Sequence, residues 1–90
     1  MKSILDFYNT PQEEMKSIAN RFKAIRRSRK ISQSDMAIRS NVSLGSIKRF
    51  ERTGEISLSS LVKLAFALNL RDEFNSLFEE ETKVESLYAW

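Results

Sequence analysis

The sequence predicts an all-α fold, a five-helix bundle in one domain, and three observations predict it. Apolar residues recur at helical spacing along most of the chain. Most of these runs open on a capping residue: Thr10, Ser32, Ser43 or Ser57. The segments between them are only about two to five residues long, the usual length in a helical bundle. Ninety residues, 41% of them hydrophobic, supply a single small core. No internal repeat or low-complexity linker divides them.

The first helix starts at Thr10-Pro11-Gln12-Glu13. Thr10 caps it, Pro11 suits the first helical position, and Glu13 completes a capping box. Met15, Ile18, Ala19, Phe22 and Ile25 then form one stripe facing a core. Arg21, Lys23, Arg27 and Lys30 fall mostly off that stripe, and the helix ends near Lys30. Ser32-Gln33-Ser34-Asp35 repeats the capping pattern and opens a second helix, to about Ser40. Asn41 tolerates the left-handed conformation that ends a helix. Ser43 caps a third helix, with Ile47 and Phe50 inward and Gly54 at its end. Ser57 caps a fourth, with a broad apolar face of Leu58, Leu61, Val62, Leu64, Ala65 and Leu68, and Asn69 ends it. A fifth is expected from about Arg71 to Glu80, showing Phe74, Leu77 and Phe78. Phe22, Phe50, Phe66, Phe74 and Phe78 are all assigned to the core. Residues 1–10 form an N-terminal arm, 11–80 the domain, and 81–90 a C-terminal tail.

Composition removes several function classes. The chain has no Cys, hence no disulfide framework, thiol nucleophile or cysteine zinc site. It has no His, the commonest general base and metal ligand. Two glycines leave no phosphate-cradling loop. Carboxylates and lysines remain, but Glu79-Glu80-Glu81 reads as a solvated run without a partner acid or metal ligand. The expectation is a protein that is not an enzyme and uses no cofactor or metal. No apolar run is long enough to cross a bilayer, and MKSILDFYN lacks the apolar stretch of a signal peptide. The cytoplasm is the expected compartment.

The net charge of +3 hides an asymmetry. Residues 16–52 carry eleven Lys and Arg against Asp35 and Glu51, while residues 72–90 carry six acids against Lys83. A basic half with an acidic tail points to a polyanion as partner of the first.

Within the basic half, VSLGSIKRFERTG, Val42 to Gly54, has a nearly bare front and a positive flank. The two short helices around it are joined by Asn41-Val42. Ala37 is small where the second helix must let the third approach. The spacing Gln33, Ala37, Asn41, Ile47, Phe50 is a helix-turn-helix skeleton. The second helix of such a unit enters the major groove by its N-terminal end. Small residues there let the backbone approach the bases, and the helix N-terminus favours a phosphate. Arg49 is the strongest base-reading candidate, because its planar fork matches guanine O6 and N7.

Gln33 through Gly54, followed by SLSSLVKLAFALNL, resembles the XRE family of phage Cro- and repressor-like helix-turn-helix regulators. The resemblance spans about Ile18 to Phe78. Within that family, FERTGEISLSSLVKLAFALNLRDEFNSLF is most similar to HipB-like antitoxin regulators. The resemblance implies that Gln33 and Ser43 contact DNA phosphates. It implies that Leu44, Gly45 and Arg49 occupy base-reading positions, with Ser46 and Lys48 beside them and Arg52 on the backbone. It also implies a structural ion pair between Arg26 and Glu51. Asn41 and Lys30 stand where the family often has Gly, which a left-handed residue accommodates at modest cost. Leu44 reaches only a thymine methyl and Gly45 has no side chain, so weight shifts to Arg49, Lys48 and DNA shape.

The implied function is sequence-specific DNA binding as a transcriptional repressor, on the nucleoid when bound. The implied partners are palindromic double-stranded DNA and a second copy in a homodimer. A HipA-like Ser/Thr kinase toxin is a third, the chain then being the antitoxin that represses its own operon. The alternatives are a free-standing phage or chromosomal repressor, and a helical interaction adaptor without DNA binding. Ile4, Leu5, Phe7 and Tyr8 form an apolar cluster before the first helix. Leu87, Tyr88 and Trp90 are candidate partner-binding residues, since aromatics concentrate at interface hot spots.

Overall fold

The computed structural model describes residues 10–82, and every regular element among them is a helix. Helices α1 (Pro11–Ser28), α2 (Gln33–Ser40), α3 (Leu44–Thr53), α4 (Leu58–Ala67) and α5 (Asp72–Asn75) follow in order, and a 3₁₀ turn spans Glu79–Thr82. The predicted five-helix, all-α architecture is the one observed. The apolar cluster at residues 4–8 and the candidate partner residues Leu87, Tyr88 and Trp90 lie outside the described residues. No helix among the described residues is long and apolar enough to cross a membrane.

Each of the first four helices begins on its predicted cap. Thr10 and Glu13 exchange both bonds of a capping box, Glu13 N to Thr10 Oγ1 at 3.1 Å and Thr10 N to Glu13 Oε1 at 2.9 Å. The Thr10 backbone N–H, and after it the Thr10 hydroxyl, hold the Glu13 carboxyl below its ordinary range. Ser32, Ser43 and Ser57 accept from the N–H three residues on, at 3.0, 3.1 and 3.1 Å. The helix ends are equally local. Lys30, Asn41, Gly54 and Asn69 all have positive φ, at 58°, 60°, 86° and 61°. A left-handed residue turns the chain sharply and lets following N–H groups reach orphan carbonyls. Asn and Gly adopt it readily; Lys30 carries a cost of about 1 kcal/mol.

The core lies where α1 and α2 pack on α3 and α4 packs on α2. Ala19, Phe22, Met36, Ile47, Phe50, Leu64 and Leu68 are buried, with Ile31 and Val42 from the turns. Phe22 of α1 and Phe50 of α3 meet at 5.5 Å with rings tilted by 54°, within the centroid range of favourable aromatic pairs.

One ion pair lies inside this core. Arg26 is 7% exposed and Glu51 5%. Arg26 Nε donates to Glu51 Oε2 at 2.7 Å and Nη2 to Oε1 at 2.9 Å, the bidentate fork that gives strong, directional bonds. Its Nη1 donates to Ile31 O at 2.8 Å. The pair expected from the resemblance is therefore buried and fully bonded. A second α1 residue joins it: Lys16 Nζ donates to Glu51 O and Arg52 O, each at 2.8 Å. These are end carbonyls of α3, which lack partners within the helix, so α1 caps α3 in trans.

Gly54 closes the same contact. A Cβ there would sit 2.8 Å from both Lys16 N and Met15 C. Only glycine lets the end of α3 lie directly on the α1 backbone.

The fifth helix differs from expectation. It is a four-residue turn, Asp72–Asn75, rather than a helix to Glu80. Leu77 is 54% exposed, and Phe78 is 77% exposed with φ of 62°. The physical reason is the want of a cap and of burial. Arg71 makes no side-chain cap bond, and Leu77 and Phe78 are packed against nothing that buries them. A helix this short needs tertiary packing to persist. Phe66 is 56% exposed and also leaves the predicted core, whereas Phe74 is half-buried.

Truncating one member of a buried pair strands the other charge and costs about 3–5 kcal/mol, against under about 1 kcal/mol at an exposed site. Glu51→Ala should therefore lower the melting temperature far more than Glu73→Ala, by calorimetry or circular dichroism; equal melting would mean that the pair contributes nothing. Gly54→Ala combines a positive φ with a backbone clash, so urea denaturation should show a loss of at least about 1–3 kcal/mol.

Candidate nucleic-acid interface

Two inward residues set the face that α3 turns outward. Ile47 and Phe50 are almost fully buried and Glu51 is tied to Arg26. At 100° per residue, Gly45, Lys48, Arg49 and Arg52 must then point away from the core. All four are exposed, and Leu44 and Ser46 are half-buried. Ser43, the cap of α3, is exposed at its front.

The turn into α3 is built by one hydroxyl. Ser40 Oγ donates to Met36 O at 2.7 Å and accepts from Val42 N at 3.2 Å. Asn41 takes the left-handed conformation and returns its N–H to Ala37 O at 2.9 Å. Val42 is buried, so the tight connection is pinned on both sides.

The front of α3 is as bare as its sequence suggests. A Cβ on Gly45 would meet nothing within 4 Å. The hydroxyls divide their work. Ser43 Oγ accepts from Ser46 N and donates to Ser46 Oγ at 2.8 Å. Each serine has a single O–H to give. Between two hydroxyls either can donate, so one O–H of the Ser43–Ser46 pair remains for an outside acceptor at this helix start.

Gln33 is half-buried at the first position of α2, and its Nε2 donates to Glu51 Oε1 at 3.0 Å. An amide nitrogen has two N–H groups, so one remains for an external acceptor. The core ion pair thus sets the amide's orientation.

The cations differ in what holds them. Arg26 and Lys16 are structural. Arg21 lies 3.8 Å from Glu14 on α1, and Arg29 donates to Leu68 O. Lys48 and Arg52 are exposed on α3 and make no side-chain hydrogen bond among the described residues. Arg49 stands apart, because its Nη2 pairs with Glu55 on the turn after α3.

The sequence reading missed this Glu55 contact and the Lys16 contacts. The first joins residues six apart across a helix end and the second residues 35 and 36 apart, beyond any helical spacing rule. The turn at Gly54 was the one clue to Glu55.

No group of three or more acidic, His or Cys side chains among the described residues could hold a metal ion. A depression of about 360 Å³ is lined by Ser46, Arg49, Glu55, Ile56, Ser57 and Ser60.

No protein-family model, no curated protein and no solved structure matches the chain.

Gly45 separates fold from surface. Its neighbourhood is open and its conformation helical, so Gly45→Ala should raise stability by up to about 1 kcal/mol through helix propensity. Urea unfolding measures this; a destabilised variant would mean that the front is more crowded than its geometry indicates.

Proposed function

We propose that the chain is a sequence-specific DNA-binding transcriptional repressor whose α2–turn–α3 unit is a helix-turn-helix. One observation carries the reading: a capped helix with an open, small-residue front and outward Lys48, Arg49 and Arg52 follows a tight left-handed turn from a helix that starts with Gln33. Such a surface fits the major groove by shape and the phosphate rails by charge. Arg49 reads a base pair, Gln33 and Ser43 contact phosphates with Ser46 beside Ser43, and Leu44 touches a thymine methyl.

The protein acts as a homodimer on a palindromic operator, with α3 helices about 34 Å apart, one turn of DNA. Exposed Leu77 and Phe78, with half-buried Leu70 and Phe74, are the surface we assign to the second copy. The narrower reading, an antitoxin that represses its own operon and binds a HipA-like kinase, is supported by the resemblance of FERTGEISLSS alone. A second class of function has an observation of its own. Ile38, Leu58, Phe66, Leu77 and Phe78 are large, apolar and more than half exposed, as at a protein-interaction surface. An adaptor without DNA binding would use these residues and leave α3 idle.

Selection of duplexes from a randomised library, followed by titration at several salt concentrations, separates the two. A repressor enriches one motif and loses affinity steeply as salt rises. Arg49→Ala should cost about 1–3 kcal/mol and relax preference at one base pair per half-site. Arg52→Ala should weaken all duplexes alike and lower the salt slope by about one. An unchanged base preference in Arg49→Ala would remove Arg49 from the readout, and no enrichment at all would leave the adaptor.

A further inference from the structure

Glu55 stands at the edge of the proposed base-reading face, on the turn between α3 and α4, and its carboxylate pairs with Arg49 Nη2. Both side chains are more than half exposed, 62% for Arg49 and 54% for Glu55. The turn that carries the carboxylate is fixed independently of the pair. Thr53 Oγ1 donates to Arg49 O at 2.8 Å and accepts from Glu55 N at 3.1 Å. Gly54 is seated against the α1 backbone.

A carboxylate here lowers general affinity for DNA, because it offsets a cation on the face that must meet phosphates. Nor does an exposed ion pair add much stability, under about 1 kcal/mol. Guanidinium chemistry accounts for it better. Arginine has five N–H donors, arranged so that two edges each offer a parallel pair. A single bond from Nη2 uses one hydrogen and leaves one complete edge. A complete edge is what guanine O6 and N7 require.

We infer that Glu55 is a positioning residue that sets the base specificity of Arg49. This rests on the DNA-binding reading above. Glu55 orders the guanidinium before contact, so less rotamer freedom is lost on the correct base. It also keeps the guanidinium off the phosphates, where Arg49 would bind every sequence alike. General affinity falls and discrimination rises.

The test uses the full chain and a randomised duplex library. The wild-type protein selects duplexes, and Arg49→Ala identifies the base pair that Arg49 reads. Wild type, Glu55→Ala and Glu55→Gln are then titrated with the selected duplex, its variants at that base pair, and the unselected pool. Glu55→Ala should bind the pool more tightly, with a salt slope steeper by about one as Arg49 gains a phosphate. Its discrimination at that base pair should fall about threefold to fivefold, the most an exposed pair can supply. Glu55→Gln removes the charge but keeps an acceptor oxygen for Arg49, so it should gain less pool affinity than Glu55→Ala and retain more of the discrimination. Equal tightening on every duplex would make Glu55 a repelling charge only and overturn the inference. Weaker binding to every duplex, together with lower melting, would make it a structural residue and overturn it as well. If the wild-type chain selects nothing, the proposed function fails and this inference with it; selection with unchanged discrimination overturns this inference alone.

Discussion

The Glu51 carboxylate is the point on which three helices converge. Arg26 reaches it from α1 with two donors, Gln33 from the start of α2 with one, and the residue itself belongs to α3. Its main-chain carbonyl takes a further bond from Lys16. Removing two charges from water costs several kcal/mol per ion and is repaid only where nearly every donor and acceptor is used. Here they are used: no buried side-chain polar atom among the described residues lacks a partner. A slip of α1 along α3 would break several of these bonds together. The apolar contacts around the pair, Phe22 on Phe50 above all, tolerate sliding better than a bidentate fork does.

That constraint reaches the surface through helix geometry. With Ile47, Phe50 and Glu51 held inward, the outward face of α3 has no rotational freedom left. The tight connection before it adds a second restraint, since the Ser40 hydroxyl and left-handed Asn41 set where α3 begins. Lys48, Arg49 and Arg52 are therefore carried on a rigid element, which keeps a recognition surface in register better than a loop does.

Charged and apolar surfaces fall on different elements. The α3 face and its neighbours are cationic, and among the described residues Glu55 is the acid paired to it. The exposed apolar residues sit mainly on α4 and beyond, at Leu58, Phe66, Leu77 and Phe78, with Ile38 on α2. One surface suits a polyanion and the other a protein.

The sequence by itself determined whatever depends on neighbours within about four residues, the reach of one helical turn. Thr10, Ser32, Ser43 and Ser57 bond to N–H groups three positions on, so they start helices wherever the chain lies. Asn41, Gly54 and Asn69 end helices by their own backbone preferences. Helical spacing likewise exposed Ile47 and Phe50 as core, and hence the opposite flank of α3 as the candidate site. Tertiary structure alone decided the rest, because those contacts couple residues whose separation in sequence carries no period. Burial of Arg26 against Glu51 was suggested by resemblance, but its third bond to Ile31 O and the link to Gln33 follow only from packing. Lys16 reads as one more cation in a basic run until the end of α3 lies on it. The length of helix five was decided in the same way. Phe74, Leu77 and Phe78 have helical spacing, but spacing predicts a helix only where a surface buries the stripe, and here Leu77 and Phe78 stay exposed.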